Sequence, residues 1–246
     1  MLSKSQIKLV NSLKHKKFRQ KHQLFIVEGV KVIKEILKSN LEVEALFATV
    51  DLFSFNSENF YLISETDLAK ISALSTPQVA LALVKIPNNN INVHQQNSLT
   101  VALDGVRDPG NLGTIIRLCD WFDVSTLICS PDTVDCYNPK VVQATMGSLV
   151  RVDVVYEDLN KVLTQTNLPI YGAFMNAEPI YSTYLERNGI LVMGNEANGI
   201  STEIENLIRH KISIPKFGSA EVESLNVATA TSIMLSEFKR NQFTEK

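Results

Sequence analysis

The sequence predicts an α/β protein: a mostly parallel sheet in the C-terminal part, preceded by a small α/β domain. Three observations predict it. From residue 99 onward, short apolar runs alternate with helix-length segments, the pattern of strands joined by crossover helices. Before that point, strand-like runs are fewer and gather around two helices. Between the two parts lies ProAsnAsnAsnIleAsnValHisGlnGlnAsnSer, residues 87–98, almost pure side-chain amide with little to bury. The chain has 246 residues, 45% of them hydrophobic and 20% charged, with a mean hydropathy of +0.03. At about 150 residues per domain, that is material for one large domain or two small ones, and it argues against wholesale disorder.

The first block reads as follows. Leu24–Val27 is a β-like run, and Gly29–Lys38 has helical spacing through Val30, Ile33, Ile36 and Leu37. Strands are expected at Val43–Ala48, Phe60–Ile63 and Val79–Val84, with a helix through Leu68, Ile71 and Leu74 capped by Ser64. After the connector, strands are expected at Leu99–Leu103, Thr126–Cys129, Val150–Val155, Ile170–Phe174, Ile190–Met193 and Lys211–Ile214. Helices are expected near Leu112–Phe122, Pro139–Met146, Glu157–Thr166, Thr202–Arg209 and Leu225–Arg240. The domains are therefore 1–86, a linker at 87–98, and 99–246.

Charge is unevenly placed. The formal net charge is −2, yet residues 1–38 hold ten Lys and Arg against two Glu, a net +8 that leaves −10 for the remainder. The densest stretch, LysHisLysLysPheArgGlnLys, makes Lys14, Lys16, Lys17 and Arg19 candidate phosphate contacts, with a solvated basic surface as the alternative. Three cysteines without a C-x-x-C, and four scattered histidines, give no basis for a disulfide framework or a metal site. No apolar run approaches the ~18 residues of a membrane span. MetLeuSerLysSerGlnIleLysLeuVal lacks the pattern of a secretory signal, so a cytoplasmic protein is expected.

Three loops stand out where strands should lead into helices, the place where open α/β sheets bind ligands. In Leu103–Arg117, Asp108-Pro109-Gly110 is a turn and Asn111 is a suitable N-cap. Thr114, Arg117 and Trp121 then share one helix face. Read locally, Asn111 as a mere cap and Arg117 as a surface ion pair remain alternatives. In Val192–Ser201, Gly194 and Gly199 have phosphate-loop spacing, but Ile200 stands where that loop requires Lys. No G-x-G-x-x-G occurs either, so an NTPase or ordinary dinucleotide-binding oxidoreductase lacks its fingerprint. In Ile214–Ser232, Ser224 is a candidate cap for a helix whose first turns are small or β-branched.

Taken together and in this order, AsnLeuGlyThrIleIleArg, MetGlyAsnGluAlaAsnGlyIle and IlePro…SerLeuAsnValAlaThrAla resemble the three motifs of the SpoU (TrmH-like) family of RNA ribose 2′-O-methyltransferases. The resemblance covers about residues 99–240. LysHisLysLysPheArg followed by PheIleValGluGly is similar to the ribosomal-protein-like RNA-binding domain that often precedes that catalytic domain. The resemblance implies a deep trefoil knot in the C-terminal sheet, a homodimer as the catalytic unit, and ribosomal or transfer RNA as substrate. It implies S-adenosylmethionine held by Gly194, Asn195, Ile214 and Leu225, largely through backbone groups. It also matches Asn111, Arg117, Glu196, Ser224 and Asn226 to the family's polar functional positions, with no metal.

Chemistry narrows the role of Arg117. A guanidinium, with a pKa above ~12, is a poor general base. It suits a clamp on the ribose-phosphate, with the proton passing to phosphate or water. A binding module that has lost catalysis is the competing class, and the intact polar positions argue against it.

Overall fold

The computed structural model describes residues 2–53, 58–87, 98–218 and 224–243. The expected linker at 87–98 falls almost wholly outside them. The chain divides into two compact units: Met1–Asn88 with Asp135–Val150, and Asn89–Val134 with Arg151–Lys246.

The first unit opens with two helices the hydrophobic pattern did not announce, α1 (Lys4–Ser12) and α2 (Lys16–His22). A reciprocal pair of bonds between Ser3 and Gln6 caps α1. Then come β1 (Leu24–Glu28), α3 (Val30–Lys38), β2 (Val43–Ala48), β3 (Phe60–Leu62), α4 (Glu65–Ile71) and β4 (Ala80–Lys85). Ser64 caps α4 as expected, accepting from the Asp67 amide at 3.1 Å. The sheet order is β1-β4-β2-β3, parallel only between β2 and β3.

Strands β1 and β4 are buried on both faces, so both faces need a cover. Val10, Leu13, Leu68 and Ile71 of the α1 and α4 region cover one. The other is closed by Val32, Ile33 and Ile36 of α3 together with Val142, which lies on a helix at Pro139–Thr145. The segment Asp135–Val150, expected within the second block, thus packs in the first.

Arg19 requires a correction. It is 2% exposed; its Nε and Nη2 donate to Asp135 Oδ2 at 2.9 and 2.5 Å, and its Nη1 donates to the Leu13 carbonyl at 2.8 Å. It is a structural cation, not a phosphate contact. Lys14 is half-buried and donates to the Ser72 carbonyl at 2.8 Å, whereas Lys16, Lys17 and Lys21 are exposed.

The second unit contains β5 (Leu99–Asp104), α5 (Pro109–Trp121) and β6 (Thr126–Cys129). The helix at Pro139–Thr145, α6, follows in sequence and belongs to the first unit. The second unit resumes with β7 (Asp153–Tyr156), α7 (Leu159–Gln165), β8 (Ile170–Pro179), β9 (Gly189–Gly194), α8 (Thr202–Glu205), β10 (His210–Ser213) and α9 (Val227–Phe243). All its strand pairs are parallel, in the order β10-β8-β9-β5-β6-β7. One face is covered by α7 and α8 through Leu159, Val162, Leu163 and Ile204. On the other, α5 packs against α9, which also meets β9. None of the described helices is long and apolar enough to cross a membrane.

Three boundaries differ from expectation, each for a local reason. Met146 and Gly147 have φ of 52° and 98° and end α6, so Ser148–Val150 forms a 3-10 turn and β7 starts only at Asp153. Helix α8 stops at Glu205 because the Arg209 amide turns to the Ile170 carbonyl and rejoins the sheet. Strand β8 runs past Phe174 to Pro179, its register against β10 jumping from Gly172↔Lys211 to Glu178↔Ile212.

Candidate active site

Helix α5 begins three residues earlier than its sequence suggests. Asp108 is the N-cap, accepting from the Asn111 amide at 2.8 Å, and Pro109 fills the first helical position, where its missing N–H is harmless. Asn111 is therefore not the cap, and its side chain is free for another task. Its Nδ2 donates to Glu196 Oε1, and its Oδ1 accepts from Asn226 Nδ2 at 2.9 Å.

Asn226 is the second correction. The cap of α9 is this residue and not Ser224: its Oδ1 accepts from the amides of Ala228 at 2.9 Å and Thr229 at 3.2 Å, and its carbonyl accepts from Ala230. Committing Oδ1 to the helix fixes which way the amide faces and aims Nδ2 at Asn111. Asn111 in turn presents its own NH₂ to the carboxylate. One residue from each of the three loops, 85 and 115 positions apart along the chain, thus joins in a single file of hydrogen bonds. Ser224 and Leu225 are exposed beside it.

The glycine loop after β9 is folded onto itself. Asn195 and Gly199 exchange backbone bonds at 3.1 and 3.0 Å. Asn195 Oδ1 accepts from the amides of Ala197 and Asn198 at 3.0 and 2.8 Å, and the Ser201 amide donates to Asp104 Oδ2 at 2.7 Å. A Cβ on Gly194 would lie 2.1 Å from the Gly199 carbonyl carbon, so only glycine fits there. With the amides of Asn195, Ala197, Asn198 and Gly199 bonded within the loop and that of Ser201 bonded to Asp104, it is poorly suited to cradle a phosphate as a Walker loop does. Asp104, which ties the loop to β5, was not singled out by sequence; an Asp closing an apolar strand just before a Gly was the available sign.

Residues Gly194 and Ile214 are half-buried where β9 and β10 end, and Leu225 is 48% exposed. Half-covered apolar surface beside strand-end backbone groups fits an adenosyl ligand better than a polyphosphate. Among the described residues, no cluster of three His, Cys, Asp or Glu is placed to hold a metal.

Arg117 is exposed, and among the described residues it forms no ion pair. It follows Asn111 by six residues, which on a helix is ~9 Å along the axis and ~120° around it. Arg117 accordingly faces away from the Asn226–Asn111–Glu196 file, in company with exposed Thr114 and with Trp121, which is 83% exposed.

A six-stranded parallel sheet with a polar file across three strand-end loops defines the class. Residues 98–236 match the model of the SpoU rRNA Methylase family, and residues 4–82 match the MRM3-like substrate binding domain. The chain belongs to the SpoU family, and with that it is an RNA ribose 2′-O-methyltransferase that uses S-adenosylmethionine. It is similar to the 23S rRNA (guanosine(2553)-2′-O)-methyltransferase RlmP of Bacillus subtilis, 28% identical over 228 residues covering 89% of this chain and 90% of that protein. Among solved structures, it resembles a TrmH-family protein of Porphyromonas gingivalis (37% identity, TM-score 0.89, covering 98% of this chain and 99% of that one). It also resembles an AdoMet-bound rRNA methyltransferase of Sinorhizobium meliloti (27% identity, TM-score 0.86, covering 98% and 97%).

Proposed function

We propose that the protein acts on large-subunit ribosomal RNA in the cytoplasm, as a homodimer. The Asn226–Asn111–Glu196 file supports methyl transfer at this site, because it holds a carboxylate in fixed orientation among the three strand-end loops. The substrate choice draws on the similarity to RlmP and on the family's rRNA methylases.

When bound, S-adenosylmethionine supplies an electrophilic methyl group on a sulfonium. Gly194, Asn195, Ile214 and Leu225 hold it at the ends of β9 and β10 and before α9, in a segment that the family resemblance gives as knotted. Asn111 and Asn226 orient Glu196, and the Ser224 hydroxyl meets the ribose. Holding the 2′-oxygen in line can remove several kcal/mol of the barrier. Arg117 of the partner subunit grips the ribose-phosphate, consistent with its facing away from the file on its own chain. A guanidinium is a poor base, so the 2′-hydroxyl proton leaves to phosphate or water. Lys16, Lys17 and Lys21 meet RNA phosphates from the first unit.

The test is a map of 2′-O-methylated nucleotides in ribosomal and transfer RNA from cells with and without the protein. Loss of one site in large-subunit rRNA supports the reading. Loss confined to transfer RNA overturns the substrate choice.

A further inference from the structure

A second polar array stands beside the file just described. The Ser130 hydroxyl is buried where β6 ends; it donates to Asp132 Oδ1 at 2.7 Å and accepts from the Gly105 amide at 2.9 Å. Thr133 Oγ1 lies 3.0 Å from the same hydroxyl. The other Asp132 oxygen, Oδ2, accepts from Arg107 Nη2 at 3.1 Å. Each carboxylate oxygen thus has its own partner: one anchors Asp132 to the sheet and the other orients a guanidinium. The Ser130 bond, with Arg107 beside it, holds the Asp132 carboxyl below the usual carboxylate range, so the anion persists.

Position makes the array relevant to the reaction. Gly105, with φ +71°, has no Cβ; one placed there would lie 3.1 Å from Asp132 Oδ2 and 3.4 Å from Asn195 Nδ2. Asp132 and Asn195 therefore flank one point, and the next residue, Glu196, is the carboxylate of the file. Arg107 itself lies four residues before Asn111 on the loop entering α5. Its side chain is 77% exposed, with one of its five N–H donors directed to Asp132. An isolated surface pair of this kind contributes little to stability. A guanidinium steered by a carboxylate that is itself pinned to a buried hydroxyl is instead a preset donor fork, the form suited to phosphate.

We propose that Arg107 binds a backbone phosphate of the substrate RNA beside the target ribose, and that Asp132, held by Ser130, is its positioning residue. This rests on the methyltransferase reading and adds to it a phosphate contact distinct from Arg117. Phosphate contacts set register without reading bases, so Arg107 fixes where along the strand the 2′-hydroxyl falls.

The test uses the full chain, an unmodified large-subunit rRNA transcript and S-adenosylmethionine, with Arg107→Ala, Arg107→Lys and Asp132→Asn variants. One lost phosphate contact should flatten the log–log salt dependence of RNA binding by about 0.7. For Arg107→Ala we expect KM for RNA to rise about tenfold, with S-adenosylmethionine affinity within twofold of wild type. Arg107→Lys, keeping the charge, should restore the salt slope but only part of KM. Asp132→Asn, with Arg107 unsteered, should raise KM about threefold and leave the slope unchanged. An unaltered slope and KM in Arg107→Ala would overturn the proposal and make the pair a surface salt bridge. So would a fall in cofactor affinity with the slope intact, which would assign the guanidinium to the cofactor. Salt slopes are read by binding alone, so they judge Arg107 even if the transcript is not methylated, an outcome that would count against the functional reading instead.

Discussion

Replacing Arg19 by Ala tests the largest departure from what the basic cluster suggests. The variant removes two charge-assisted bonds to Asp135 and the bond to the Leu13 carbonyl. Asp135 keeps a side chain only 13% exposed, so its charge is left desolvated and unpaired. Breaking one side of a buried pair costs about 3–5 kcal/mol. In hydrogen exchange that follows equilibrium opening, each ~1.4 kcal/mol is a factor of ten, so amides of β1 and β4 should exchange two to four orders of magnitude faster. The double variant Arg19→Met with Asp135→Leu should recover most of the protection, because it removes both charges and keeps the volume. Protection within threefold of wild type in Arg19→Ala, together with weakened RNA binding, would refute the buried pair and return Arg19 to the RNA surface.

Four further outcomes are expected. Arg117→Ala should lower turnover more than tenfold, over ~1.4 kcal/mol of barrier, with cofactor affinity nearly unchanged; turnover above a tenth of wild type removes it from the reacting groups. Joint replacement of Lys16, Lys17 and Lys21 by Ala should flatten the RNA salt slope by about 2, and an unchanged slope would make them a solvated surface. Thr126 Oγ1 is buried with no hydrogen-bond partner among the described residues, so Thr126→Val should stabilise the protein by about 1 kcal/mol, read as a higher midpoint in urea. Burial, helped by the Asp120 charge, pushes the Cys119 thiol up to about 12 from 9.0. Between those values the unfolded thiol ionises and the folded one does not. Stability should therefore fall as pH rises above 9, by up to ~1.4 kcal/mol per unit, a slope that Cys119→Ala should remove.

The amino-acid order by itself determined the alternation of strands and helices, the parallel sheet and the family. These are local or near-local properties: apolar runs of strand length, a cap such as Ser64, and motif residues in a set order. It also placed Asn111, Glu196 and Asn226 among the functional candidates, but as separate motifs with local duties. Tertiary structure decided that they form one file, and it did so through caps. Asp108 takes the N-terminal duty of α5 and releases Asn111, while Asn226 takes that of α9 and is oriented by it. Neither choice is readable locally, because Asp, Asn and Ser all cap helices well and several stand within three residues of each start. The basic cluster shows the same limit. Charge density marks Lys16, Lys17 and Arg19 alike, yet Arg19 points inward, because its counter-charge Asp135 arrives from 116 residues away on the segment that closes the first sheet. Sequence spacing records what neighbours can do; which neighbour a side chain meets depends on burial that only the assembled layers supply.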